Sequence, residues 1–114
     1  MDASRVNQAG KEIQIHVRER CGGRPHEETR KRIYQLADDA RYAAEHDGYM
    51  EEKAAGVKYF ADVLYSHRKH AKYAEKHASY ASRRESGIEK VQSILLSCAH
   101  SIAAWSPPRA ETIS

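Results

Sequence analysis

The sequence predicts an all-α fold, an antiparallel bundle of three to four helices, and three observations lead to this prediction. Apolar residues recur at helical spacing in several segments of the chain. Glycine, proline and acidic residues fall where helices begin and end. Only one segment alternates apolar and polar residues, and a lone strand has no partner. With 114 residues, the chain has the length of one domain. We assign this domain to residues 1–105 and a disordered tail to residues 106–114.

The first helix is predicted between residues 4 and 21, where apolar residues stand three or four positions apart. A strand is the alternative, because Ile13, Ile15 and Val17 alternate with Gln14 and His16. We favour a helix, since no second strand exists for pairing, and Gly22-Gly23 then marks its end. The predicted buried face consists of Val6, Ala9, Ile13, Val17 and Cys21.

The second helix is predicted to begin around Pro25, which suits a first helical turn because its missing N–H would have no partner there. Glu27 and Glu28 follow and complement the positive end of the helix dipole. Asp47-Gly48 is interpreted as the turn after this helix. The predicted buried face consists of Ile33, Leu36, Ala37, Ala40 and Ala44.

The third helix is predicted to run from about Tyr49 to Glu85, because no proline or strong turn cluster interrupts it. It would contain about 35 residues and measure roughly 50 Å at 1.5 Å per residue. Since its neighbours are shorter, it either kinks near residue 66 or projects a far half that needs a partner. Ser86 and Glu89 form an S-x-x-E capping box at the start of a fourth helix. That helix carries Ile88, Val91, Leu95, Ala99 and Ile102, and the sequence Trp105-Ser106-Pro107-Pro108 ends it.

The third helix has three faces, which follow from about 100° of rotation per residue. The first is an alanine seam with few large side chains, formed by Val57, Phe60, Leu64, His67, Ala71, Ala74, Ala78 and Ala81. The second, called here the tyrosine–histidine face, is formed by Tyr59, Ser66, His70, Tyr73, His77, Tyr80 and Arg84. The third, called here the basic face, is formed by Lys58, Lys69, Lys72, Lys76 and Arg83.

These faces have more than one interpretation. The tyrosines either extend the core, with hydroxyl groups at its edge, or form a binding surface. Tyrosine, histidine and arginine beside lysines suit stacking on bases and neutralising phosphates. Alternatively, the basic helix packs against the acidic region 25–52, which has eight Asp/Glu and four Lys/Arg, within one chain or across a dimer. The candidate binding residues are Lys69, His70, Lys72, Tyr73, Lys76, His77, Tyr80, Arg83 and Arg84.

The composition and motifs of the chain limit the classes of function that we expect. Two cysteines without a CxxC pair predict reduced thiols in a cytoplasmic protein. No signal-peptide pattern or long apolar run is present, so no membrane association is expected. His67, His70 and His77 lie too far apart along a helix to converge on one zinc ion, so neither a metal nor a cofactor is expected. No phosphate loop or common hydrolase motif occurs.

Arg41-Tyr-Ala-Ala-Glu-His46 has an Arg-x4-His spacing similar to that of HEPN ribonucleases, which are small helical proteins with dimeric active sites. The resemblance covers six residues. It implies that Arg41 stabilises a phosphate and that His46 transfers a proton, although Tyr42 stands where the family often has a small polar residue. The alternative is a surface arginine and a histidine near a helix C-terminus, where positive charge is favourable.

The leading hypothesis is a non-enzymatic helical interaction protein that self-associates as a dimer or higher oligomer through the faces of residues 57–84. Its expected partner is a second copy, or another protein. The first alternative is a nucleic-acid or polyanion binder that uses the same helix, and the second is a HEPN-like ribonuclease.

Overall fold

The computed structural model describes residues 2–19, 27–65 and 84–108, and in residues 84–88 it describes the backbone alone. These residues contain four helices, α1 (Ala3–Glu19), α2 (Glu27–Ala43), α3 (Gly48–Tyr65) and α4 (Arg84–Ala103). The part of the chain described contains no strand. The predicted all-α fold is therefore confirmed.

The first segment is a helix, and the strand alternative is wrong. Val6, Ala9, Ile13 and Val17 are all buried on one face, as the spacing predicts. The helix begins at Ala3 because Asp2 caps it, its carboxylate accepting a hydrogen bond from the Arg5 amide at 3.1 Å. Cys21 lies outside the described residues.

The turn between α2 and α3 lies earlier in the chain than predicted. Residues 44–46 make the turn, whereas Gly48 already belongs to α3. Asp47 is the N-cap of α3, because its carboxylate accepts a hydrogen bond from the Met50 amide at 3.1 Å. An Asp-Gly pair therefore begins a helix here instead of forming the turn itself.

The fourth helix begins at Arg84, so the predicted capping box is wrong as a helix start. Ser86 and Glu89 both lie within α4. The end is close to the prediction, since the helix stops at Ala103, before Trp105 and the two prolines. Ser106 and Pro108 are exposed, and residues 109–114 of the predicted tail lie outside the description.

The helices form an antiparallel ring in which each packs against two neighbours, in the order α1, α2, α3, α4 and back to α1. The Asp2 amide donates to the Ala43 carbonyl at 2.9 Å, which places the start of α1 beside the end of α2. Arg30 bonds Asp62 at 3.0 Å, so the start of α2 lies beside the end of α3. The predicted antiparallel bundle is confirmed, while residues 66–83 of the predicted long third helix lie outside the described ranges.

The core is built from a few branched or long side chains and many alanines. The largest fully buried side chains include Ile13, Ile33, Met50, Leu95 and Ile102. Trp105 joins this cluster from beyond the end of α4 and is only 7% exposed. The sequence predicted the aliphatic positions but treated Trp105 only as part of the stop signal.

Candidate functional site

Most of the predicted binding residues fall outside the residues that the structure describes. These are Lys69, His70, Lys72, Tyr73, Lys76, His77, Tyr80 and Arg83. Arg84 is the first residue of α4, with its backbone alone described. The predicted faces of the third helix are therefore observed over Val57–Tyr65.

Within α3, the predicted alanine seam matches the buried face only in part, because Ala61, Val63 and Tyr65 are also buried. Val57 of the alanine seam is fully buried, and Phe60 and Leu64 are half-buried against the core. Tyr59, the first residue of the tyrosine–histidine face, is 52% exposed and meets the Phe60 ring edge-on. At this position the tyrosine therefore lies outside the core, on the surface of the bundle.

Lys58, the first residue of the predicted basic face, is committed to contacts within the bundle. Its ammonium group forms an ion pair with Asp38 on α2 and lies 5.5 Å from the centre of the Tyr34 ring. In its described part, the basic face thus packs against the acidic second helix, as one alternative predicted.

A buried carboxylate connects α2 to α3 near Lys58. Asp62 accepts hydrogen bonds from Arg30 at 3.0 Å and from the Tyr34 hydroxyl at 2.5 Å. Burial, together with the bond to Asp62, raises the pKa of Tyr34 to about 12. The hydrogen bond from Arg30 lowers the pKa of Glu27, which pairs with the same guanidinium at the surface. These contacts orient two helices, and sequence spacing alone did not predict them.

The structure brings Arg41 and His46, the residues of the HEPN-like spacing, to the same carboxylate. His46 donates from Nδ1 to Glu51 at 2.7 Å, and the Arg41 guanidinium lies 3.5 Å from the other oxygen of Glu51. The bond from His46 holds the pKa of Glu51 below its usual value, and Arg41 lowers it further. Tyr42 packs between them, edge-on to the His46 ring and under the guanidinium. The sequence analysis missed Glu51, which lies on the next helix.

Carboxylates surround Arg41 on two sides. Its guanidinium lies 3.7 Å from Asp38 as well as 3.5 Å from Glu51. A histidine with a carboxylate behind one ring nitrogen has the geometry of an oriented proton acceptor. The arginine, however, is already neutralised by the protein, which opposes phosphate binding.

An open cleft of about 490 Å³ lies at the same end of the bundle, where α3 begins and α4 ends. Asp47 and Tyr49 line one side, and His100 and Trp105 line the other. Lys53 lies 5.3 Å from the centre of the Tyr49 ring. No cluster of three or more metal-ligating side chains occurs within residues 2–19, 27–65 and 84–108.

Cys98 is a half-buried thiol on α4, close to Gly56 on α3. Burial raises its pKa, so the thiol form is favoured. None of the helices in the described ranges is both long and apolar enough to cross a membrane.

No family model, no curated protein and no solved structure matches this chain.

Proposed function

We propose that this protein is a small helical interaction protein that self-associates through the tyrosine–histidine face of its third helix. The observation that carries the proposal is the exposure of Tyr59, which begins that face and is 52% exposed. Val57, two residues earlier on the alanine seam, is fully buried, so the two faces of α3 differ in exposure here. The exposed ring favours the binding-surface interpretation over the core interpretation.

The packing of the bundle supports the proposal. Each helix already buries its apolar face against two neighbours, so a large exposed aromatic ring adds nothing to that core. Tyrosine is enriched at protein interfaces because it offers a rigid apolar ring with a polar tip. Tyr42 and Tyr49 are also about half exposed.

The native mass tests self-association. We expect light scattering at micromolar concentration to give a dimer or larger species. Ala74→Glu should weaken the assembly by placing a charge in the alanine seam. Tyr59→Ala should weaken it by roughly 5- to 30-fold, equivalent to about 1–2 kcal/mol.

Ile15→Ala is the matched control, because Ile15 is equally exposed but lies on α1. It should leave the mass unchanged. A monomeric wild-type protein over this concentration range would overturn the proposal. Unchanged assembly in both interface variants would show that residues 57–84 do not form the contact.

A second candidate function is RNA cleavage at the Arg41–His46–Glu51 cluster. The observation that favours it is the convergence of both motif residues on Glu51. Glu51 would orient His46 for proton transfer, and Arg41 would contact the phosphate. This candidate ranks second because Asp38 and Glu51 already neutralise Arg41.

Cleavage of a fluorescent single-stranded RNA tests the second candidate. If it is correct, the wild type cleaves, His46→Ala is inactive, and His16→Ala, which alters a partly exposed histidine near the far end of α1, stays active. Absence of cleavage by the wild type rejects it. Equal cleavage by wild type and His46→Ala identifies a contaminating nuclease and also rejects it.

A further inference from the structure

The cleft at the end of the bundle where α3 begins and α4 ends has a volume of about 490 Å³. Small-molecule sites in proteins have volumes of roughly 300–1,000 Å³. Asp47 and Tyr49 lie on one side of the cleft, and Ala104, Trp105 and Pro108 lie on the other. None of these residues belongs to the tyrosine–histidine face, so the cleft is a surface separate from that face.

The charge in the cleft favours a cation. The Asp47 carboxylate accepts a hydrogen bond from the Met50 amide, and among the described residues no ion pair neutralises it. The positive end of the α3 dipole and the negative end of the α4 dipole both meet the cleft and oppose each other, so the carboxylate sets its sign. In the part of the chain described, no lysine or arginine lines the cleft. Only His100 in its lining can oppose a cation, when it is protonated.

The aromatic residues in the cleft specify the kind of cation. Tyr49 is 49% exposed, and its ring already attracts one cation, because the Lys53 ammonium lies 5.3 Å from the ring centre. Trp105 also lines the cleft, although it is only 7% exposed. A bare ammonium group needs three hydrogen-bond acceptors, whereas an alkylated ammonium ion needs none and binds to aromatic rings and a carboxylate. A lining with one carboxylate and two aromatic residues therefore suits the alkylated ion better.

We propose that this cleft binds a quaternary ammonium group. The positive charge lies over the Tyr49 ring and near the Asp47 carboxylate, and the methyl groups pack towards Trp105 and Pro108. The ligand class is the alkylated ammonium ions, of which choline is a simple soluble example. The Lys53 ammonium competes for the Tyr49 ring, so its charge limits the affinity.

Titration with choline chloride tests the site, with sodium chloride added to keep the ionic strength constant. Trp105 is the only tryptophan of the chain, so its fluorescence and its indole N–H resonance both report on the cleft. We expect a saturable change with a Kd on the order of 1–10 mM, since an open site holds a single small ion weakly. The neutral analogue 3,3-dimethyl-1-butanol has the same shape without the charge, and it should bind at least about fivefold more weakly.

Three positions separate the contributions of the charge, the ring and the competing lysine. Asp47→Asn should weaken choline binding by about threefold or more, while its amide oxygen still caps α3. Tyr49→Leu should weaken binding by about fivefold or more, whereas Tyr49→Phe keeps the ring and should bind like the wild type. Lys53→Met should bind choline more tightly than the wild type, because the competing cation is removed.

Tyr42→Leu is the matched control, because Tyr42 is 59% exposed and does not line the cleft. It should leave the affinity for choline unchanged, and the melting temperature of each variant checks that the bundle remains folded. The proposal is overturned if choline gives no saturable response at Trp105, or if choline and its neutral analogue bind equally well. An equal loss of affinity in Tyr42→Leu and Tyr49→Leu would also overturn it.

Discussion

Two neighbouring residues in the α2–α3 turn, Glu45 and His46, have positive φ angles of 52° and 59°. The Glu45 amide donates to the Tyr42 carbonyl at 3.0 Å, and the His46 amide donates to the Arg41 carbonyl at 3.1 Å. This pair of bonds is the Schellman ending, in which Glu45 takes the position that glycine usually occupies. The left-handed backbone costs a residue with a Cβ about 1 kcal/mol or more. The bond between His46 and Glu51 helps to hold the backbone in this left-handed conformation.

Glu45→Gly should stabilise the protein by about 0.5–1 kcal/mol, because glycine removes the backbone strain. The greater conformational entropy of glycine in the unfolded chain offsets part of this gain. Urea unfolding measures the change. Glu45→Ala is the control, since it removes the side chain and keeps the strain, and it should not stabilise. Equal effects of the two substitutions would show that the side chain, and not the backbone, is responsible.

At the scale of elements, the close approach of α1 and α4 depends on Gly10. A Cβ placed on Gly10 would lie 2.3 Å from the Ala103 nitrogen and 2.8 Å from the Ala99 carbonyl oxygen. Both neighbours are backbone atoms, so no side chain can move aside. The helices pack this closely because one of them carries a glycine at the crossing.

Gly10→Ala should therefore destabilise the bundle by about 1–3 kcal/mol, even though alanine favours helix formation by about 1 kcal/mol. Gly48→Ala is the matched control, because a Cβ there meets nothing within 4 Å. The control should be neutral or slightly stabilising in urea unfolding. A stabilised Gly10→Ala variant would show that α1 and α4 separate at little cost.

The hydrogen bond between Tyr34 on α2 and Asp62 on α3 predicts that the stability of the fold changes at alkaline pH. The pKa of Tyr34 is raised to about 12, whereas an unfolded tyrosine titrates near 10. The neutral hydroxyl is favoured in the fold, so its contribution is full below about pH 10 and is lost as pH rises towards 12. Tyr34→Phe should thus lower the melting temperature at pH 8 and differ less from the wild type at pH 11.5. A constant difference between the two proteins would contradict the raised pKa.

At the scale of the whole molecule, the end of α4 is tied back to α1. The Asn7 side chain donates to the carbonyls of Ile102 at 3.2 Å and Trp105 at 2.9 Å, acceptors at the end of α4. Trp105 itself is buried in the core cluster. The bundle therefore extends at least to Trp105, whereas the predicted domain limit at residue 105 stays a prediction.

Truncation tests this limit. Removal of residues 109–114 should leave the melting temperature unchanged, as expected for a disordered tail. Removal of residues 105–114 should lower it by several degrees, because the core loses an indole ring and Asn7 loses an acceptor. An equal loss in both truncations would place essential contacts within residues 109–114.

Much of the core could be predicted from spacing, because the 3.6-residue period places one face of each helix inward whatever its neighbours are. Val6, Ile13, Ile33 and Leu95 are buried as the pattern predicted. Helix limits were less accurate. The motif at Ser86 is typical of a helix N-cap, but Ser86 lies inside α4. A local motif shows only where a helix can begin, and tertiary packing determines where it does begin.

The candidate site was only partly predictable for the same reason. Arg41 and His46 were singled out by their spacing, but Glu51, which joins them, lies across a turn on another helix. The sequence by itself determined the helical class, the inward faces of α1, α2 and α4, and the separation of acidic from basic stretches, since these depend on residues close together in the chain. The tertiary structure alone decided the Gly10 crossing, the Asp62 tie and the exposure of Tyr59, since each depends on which helices become neighbours in space.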